Sequence, residues 1–402
     1  MGKLAASVAD QGVASSTNFV LNILLARWLL ARDYGAYSVC WSALLVLAAF
    51  HNALILEPMT VVGPAEFGNR LNGYFHANNL LNWLVSLALA GAGLLFAFFY
   101  QEPVVRHCLI VMSFCVPGYL LLLTARRRQY VINQPQRALL LSVVYSLLVF
   151  AVVSAFRMGG KLSAVTGVAA FGVAWLSVFF LRADSNDKSV TLKEVARNNW
   201  RYGKWLFASA ILAVGASDVQ TLLLSMLVDL KAAGALRALM NFVLPLAQLL
   251  TVFSIYALPR LSSRAKDWGR HQLLTRGLLF PAALVGMAAV YLGVLLLVGG
   301  RAEQFLYAGK MQAYVGWLPL LAGSALMSAI GAAFSTLLRA VQNSQHAFMA
   351  GVTGSAIGVV CAFLLQRNMG VGRALWSLLA ANTSSTMVIV GTYFWLWRRS
   401  GA

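Results

Sequence analysis

Charge is scarce in this sequence. Asp, Glu, Lys and Arg make up 11% of its 402 residues, where a soluble domain carries about 25%, so a water-soluble globule of this length could not be coated. Acids are scarcer than bases, 12 against 31. The four cysteines, Cys40, Cys108, Cys115 and Cys361, lie in apolar segments with no CxxC and no His at ligand spacing. That excludes a disulfide framework and a zinc site and leaves them as core residues. The five histidines are scattered over loops and span ends. Walker A, HExxH, GxSxG and DxD motifs are missing, as are paired carboxylates within one apolar run. The expectation is a protein that is not an enzyme and holds no metal or cofactor. The N-terminal stretch 1-MGKLAASVADQGVASSTNF has no apolar core followed by a small-residue site, so no cleaved signal peptide is expected.

Apolar residues, by contrast, make up 60% of the chain, more than one soluble core can absorb. Unbroken runs such as 285-VGMAAVYLGVLLLVGG-300 exclude a β-barrel, whose strands alternate. The predicted fold is an all-α polytopic membrane protein of about 12 transmembrane helices in two pseudo-symmetric six-helix lobes. Runs and breaks place spans at about 12–31, 36–56, 77–100, 104–124, 138–156, 162–181, 204–227, 233–258, 277–299, 312–338, 347–366 and 372–397. The polar segment 182–201 falls between the sixth and seventh. The predicted domains are 1–184, a cytoplasmic linker 185–203, and 204–402.

The net charge of +19 would suggest nucleic acid in a soluble chain. Here it reports orientation. With both termini cytoplasmic, 20 of the 31 basic residues fall on the cytoplasmic side, as the positive-inside rule requires. A bacterial inner membrane and no nucleic-acid partner are expected.

The halves resemble each other. Setting 18-NFVLNILLARWLLARDYGAYSV-39 over 217-SDVQTLLLSMLVDLKAAGALRAL-239 at an offset of 199 residues aligns Asn18 with Ser217, Asn22 with Thr221 and Gly35 with Gly234, the glycines being expected in the turn before the next span. A weaker echo pairs 133-NQPQR-137 with 342-QNSQH-346. Parallel repeats of this kind occur in two-lobed transporters.

Polar residues inside spans mark candidate cavity walls. Gln11, Ser15, Asn18 and Asn22 fall within an arc of about 60° of the first span, and Asn78 and Asn82 lie in the third. Thr221 and Ser225 repeat the stripe in the seventh, and Asn241 lies in the eighth. Ser324, Ser328, Ser335 and Asn382 add hydroxyls and an amide. The alternative for each is a hydrogen bond between helices. Asp218 reads as the one deep acid, costing at least about 2.5 kcal/mol on insertion, and as a candidate for coupling to H+ or Na+. Asp229 is expected in a solvated loop at the outer end. Arg126, Arg127 and Arg128 end the fourth span, and Arg201 and Lys204 precede the seventh. They are candidate phosphate contacts or, alternatively, topology anchors. Arg27 lies near the outer end and can snorkel, while 354-GSAIG-358 suggests a close helix contact.

The stretch 9-ADQGVASSTNFVLNILLARWLLARDYGAYSV-39 resembles the opening of Wzx-type polysaccharide and O-antigen flippases of the multidrug/oligosaccharidyl-lipid/polysaccharide (MOP) superfamily. It has a polar-studded first helix and then a basic, acidic, Tyr and Gly turn (Arg32, Asp33, Tyr34, Gly35). The resemblance implies two six-helix lobes that alternate in access. It also implies that the cargo is an undecaprenyl-diphosphate-linked oligosaccharide, with membrane lipids, a polysaccharide polymerase and chain-length proteins as partners. Many relatives have fourteen spans; twelve occurs in the drug-exporter branch, so a cation-coupled multidrug exporter is the alternative. A membrane glycosyltransferase, polymerase or ligase is a third reading, for which the outward connections are short.

Overall fold

The computed structural model describes residues 2–177, 187, 189–216, 218–340, 344–365 and 369–401. The described elements are helical, and the chain divides into two compact units, Met1–Ile211 and Leu212–Ala402. Among the described residues, seven stretches are long and apolar enough to cross a membrane, and further apolar helices are shorter. The protein is a multi-pass membrane protein.

The first unit contains α1 (Lys3–Trp28), α2 (Ala31–His51), α3 (Glu57–Phe67), α4 (Leu71–Phe99), α5 (Pro103–Val131), α6 (Pro135–Met158) and α7 (Ala164–Ala169), the last followed by a 3-10 stretch, Ala170–Ser177. Helix α1 starts nine residues before the first predicted span. Ser163 and Thr166 close a capping box at the start of α7, satisfying two orphan N–H groups. Tyr37 and Trp41 of α2 pack against Phe171, the first stacked and the second tilted, with ring centroids 6.3 and 5.3 Å away.

Between α2 and α3 the helix widens into a π-turn, Asn52–Leu56, in which the Glu57 N–H reaches the Asn52 carbonyl. Pro58 is the local cause, since it has no N–H to return to the Leu54 carbonyl. Helix α8 (Leu192–Ala216) packs on this turn. Asn199 Nδ2 approaches the Leu54 oxygen at 3.4 Å, and Gly203 sits where a Cβ would stand 2.5 Å from the Ala53 oxygen. Val190 and Val195 join Ile55, Met59, Phe67 and Tyr74 in one buried cluster. Residues 192–203 of the predicted linker are therefore helical and packed; 178–186 and 188 lie outside the described residues.

The second unit holds α9 (Asp218–Leu227), α10 (Leu230–Arg276), α11 (Leu279–Tyr307), α12 (Leu318–Ala340), α13 (Ser344–Leu364) and α14 (Val371–Gly401). Asp229 is exposed but is not merely a loop residue: its Oδ1 accepts the Ala232 N–H at 2.6 Å and caps α10. Gly354 and Gly358 face α14, with Cβ positions 2.7 Å from the Ala381 oxygen and 2.9 Å from its Cβ.

The internal repeat appears in packing. Helix α5 contacts α2, α4 and the α7 region, and α12 correspondingly contacts α10, α11 and α14. Gly35 and Gly234 occupy the same place, the fifth residue of α2 and of α10. They are inside helices and not in the preceding turns. Arg32, Asp33 and Tyr34 likewise belong to the opening of α2, where Asp33 favours the positive end of the helix dipole. Ser217 and the 342–343 end of the weaker echo lie outside the described residues.

Candidate functional site

Each unit contains its own cavity. The one in the first unit has a volume of about 400 Å3 and is lined by Ser7, Gln11, Asn52, Arg126, Arg127 and Tyr130 together with apolar side chains. A crevice of about 30 Å3 shares Leu123 and Arg126 with it and reaches Thr17, Asn18, Ser142 and Ser146.

A buried carboxylate organises this wall. Asp10 of α1 is fully buried, and a charge so placed requires partners. Arg126 Nη2 lies 2.8 Å from its Oδ2, and the Tyr130 hydroxyl donates to the same oxygen at 2.5 Å. The Ser142 hydroxyl of α6 donates to Oδ1. Arg126 and Tyr130 are four residues apart and so share a face of α5. Two turns along α1 from Asp10, Thr17 pairs with Ser146 at 2.5 Å, continuing the polar seam between α1 and α6. Arg127 has weaker partners: Asn52 Oδ1 at 3.4 Å and Glu57 Oε1 at 3.8 Å, with both charged side chains 36% exposed.

The cavity of the second unit measures about 500 Å3 and is lined from α10, α12 and α14. Its polar lining consists of Thr251, Ser254, Ser324, Ser328, Ser335, Thr336, Asn382 and Arg339. Ser324, Ser328 and Ser335 share a face because they are spaced by four and seven. Asn382 Nδ2 donates to Ser324 Oγ at 2.9 Å. Among the described residues, no carboxylate lines either cavity or the crevice.

The sequence-predicted residues divide between wall and packing. Gln11, Arg126 and Arg127 line the first cavity and Asn18 the crevice. Ser15 is half-buried and lines neither. Asn22 is buried and donates to the Asn18 oxygen. Asn78 accepts from Asn199, and Asn82 meets His51 Nε2 at 2.7 Å, so both join helices. Arg128 lies over the Phe75 ring at 4.8 Å. Arg201 pairs with Glu66 at 2.5 Å on an exposed surface, and Lys204 lies 5.6 Å from the Trp205 ring. These three residues line no described cavity. In the second unit Thr221 is buried, Ser225 donates to the Leu222 oxygen, and Asn241 approaches the Tyr307 hydroxyl at 3.4 Å; none lines its cavity. Asp218 opens α9, half-buried.

Asp218 is thus not the most buried acid among the described residues. Asp10 is 0% exposed and Glu303 1%, the latter accepting the Met311 N–H at 2.8 Å. Asp10, Tyr130 and Ser142 were not among the expected site residues. The signal for Asp10 was its seven-residue spacing from Thr17 on one helix face; Tyr130 and Ser142 have no such signal within their own helices.

A family described as polysaccharide biosynthesis protein matches residues 24–298, more than half of the 402-residue chain. The chain belongs to this family. No curated protein matches this member of the polysaccharide biosynthesis family by sequence. Among solved structures it is similar to the lipid II flippase MurJ in an inward closed conformation, with TM-score 0.78, 11% identity, and coverage of 99% of this chain and 90% of the other. It is also similar to an inward-facing multidrug resistance MATE family transporter of the MOP superfamily, with TM-score 0.74, 10% identity and 98% coverage of both chains. A third similar structure is the eukaryotic MATE transporter AtDTX14, with TM-score 0.68, 17% identity, and coverage of 99% and 97%. The family member therefore has the two-lobed helical fold of MOP transporters.

Proposed function

We propose that the protein flips undecaprenyl-diphosphate-linked oligosaccharide repeat units across a bacterial inner membrane by alternating access, supplying surface or exopolysaccharide synthesis. The observation that carries this reading is the charge of the cavity walls. Arg126 and Arg127 line one and Arg339 the other, with no carboxylate among the described lining residues of either. Guanidinium groups match phosphate oxygens in geometry and charge, whereas a site for cationic drugs calls for acids. The hydroxyls and amide of the second cavity suit the donors and acceptors of a sugar. The polyprenyl tail remains in lipid throughout. Membership of the polysaccharide biosynthesis family supports the same pathway, and a polymerase and chain-length proteins are the partners it implies.

The positive-inside rule puts both termini and the Arg126 end of α5 at the cytoplasm. Ion coupling through Asp218 belongs to the same proposal. Asp218→Asn should abolish export while the protein stays in the membrane, and undiminished export would remove that role. The decisive experiment is a deletion strain, in which lipid-linked repeat units should accumulate facing the cytoplasm. Accumulation on the periplasmic face would instead indicate a polymerase or ligase.

A second reading, a cation-coupled multidrug exporter, is favoured by the names of two structures that share the fold. Drug sensitivity of the deletion strain with intact surface polysaccharide would replace the first reading with this one.

A further inference from the structure

Two guanidiniums line the first cavity, and each already faces a carboxylate of the protein. The two pairs are unlike. Arg127 and Glu57 stand 3.8 Å apart and are both partly exposed, so water already solvates them and a phosphate can take Arg127 with little competition. Asp10 and Arg126 are 2.8 Å apart, with Asp10 fully buried and Arg126 16% exposed. Arg126 cannot give a full share of its charge to a cargo while that carboxylate holds it.

The donors converging on Asp10 are themselves informative. One guanidinium, one phenol and one hydroxyl, from Arg126, Tyr130 and Ser142, meet a single small anion. That set would hold two oxygens of a phosphate equally well. Arg126 also has a buried Nε with no hydrogen-bond partner among the described residues, so Asp10 and its neighbours do not use the full donor capacity of this guanidinium. Arg126 and Tyr130 both line the cavity, whereas Asp10 does not.

We infer that Asp10 is a resident counter-ion, a positioning residue that occupies the phosphate seat of Arg126 in the empty protein and must be displaced by the diphosphate of the cargo. This rests on the flippase reading above and adds to it the competitor at its anion site. The pair keeps Arg126 folded against α1 and α6 when no cargo is present. Only an anion that also engages Arg127 gains enough to displace the carboxylate. Both guanidiniums line one cavity, and a diphosphate carries two anionic groups with which to engage them, where a single carboxylate or monophosphate carries one. The exchange makes and breaks hydrogen bonds only.

The test is equilibrium binding to the full-length protein in zwitterionic nanodiscs, with undecaprenyl diphosphate as probe and undecaprenol as the phosphate-free control. Asp10→Asn keeps the side-chain shape and removes the competing charge. It should tighten diphosphate binding about tenfold, the scale of one charge-assisted hydrogen bond, without changing undecaprenol binding. Glu57→Gln should leave affinity within about twofold, as expected for a solvated pair. If Asp10 only braces the seam between α1 and α6, Asp10→Asn lowers thermal stability with no gain in affinity, and the inference is overturned. Should Asp10→Asn fail to fold, Asp10→Ser, which also removes the competing charge and leaves all three donors in place, decides in the same way: tighter diphosphate binding supports the exchange and unchanged binding overturns it. Wild-type preference for the diphosphate with no tightening in either variant removes the exchange but leaves the flippase reading. No preference for diphosphate over undecaprenol in any form removes both.

Discussion

Asn199 Nδ2 lies 3.4 Å from the Leu54 carbonyl oxygen, to which Pro58, four residues on, has no N–H to give. The same amide gives a hydrogen to Asn78 Oδ1 at 2.9 Å, and its Oδ1 accepts from the Tyr74 hydroxyl at 3.0 Å. Asn199→Leu strands these buried groups, each costing about 1–3 kcal/mol when left unpaired. The variant should unfold at lower temperature in detergent. A melting curve equal to that of the wild type would show that these bonds do not hold α8 on the first unit.

Arg127→Gln and Arg201→Gln should separate cargo contact from surface charge. Arg127 lines the cavity, whereas Arg201 is 68% exposed and pairs with Glu66 outside it. Loss of a charge-assisted hydrogen bond, about 1.5–3 kcal/mol, should lower polysaccharide export by at least about tenfold in Arg127→Gln. Arg201→Gln should export normally, since exposed pairs contribute little. Equal loss in both variants would mean that net charge matters and the cavity wall does not.

Ser328 points into the cavity of the second unit. Ser328→Trp should occupy much of its volume of about 500 Å3 and block export at normal protein levels. Ser328→Ala removes one hydroxyl among several and should reduce the rate only a few-fold, the scale of about 1 kcal/mol for one neutral hydrogen bond. Export by Ser328→Trp at the wild-type rate would show that cargo does not enter this cavity.

Gly354→Val places a side chain where the Ala381 oxygen stands 2.7 Å from the nearest Cβ position. Overpacking of this kind costs about 1–3 kcal/mol. The measurable outcome is a lower midpoint of thermal unfolding. Gly351→Ala is the control, because a Cβ there meets nothing within 4 Å.

The helices were legible in the sequence because lipid demands long apolar runs, and the GxxxG contact because only small residues allow such an approach. Side-chain direction was less so. Asn78 and Asn82 look like cavity residues by type, yet their partners Asn199 and His51 come from distant parts of the chain. Asp10 escaped notice because polar neighbours put the start of the apolar run after it, whereas helix α1 begins at Lys3. Its partners Arg126 and Ser142 lie more than a hundred residues away. The second cavity was half legible: Ser324, Ser328, Ser335 and Asn382 stood out as polar residues in apolar spans, but no pattern within one helix could show that they converge.

The π-turn that Pro58 imposes decides what surrounds Arg127. Asn52 and Glu57 are five residues apart, and on a regular α-helix they would point about 140° away from each other. In the wide turn, residues five apart come into line, so the amide and the carboxylate both reach one guanidinium. A proline that lines no part of the cavity thus sets the angular phase of its wall. Winding 52–56 back to a regular helix would swing Glu57 away from Arg127 and shift Asn52 and Leu56 in the lining, changing the electrostatic character of the cavity with no change of sequence there.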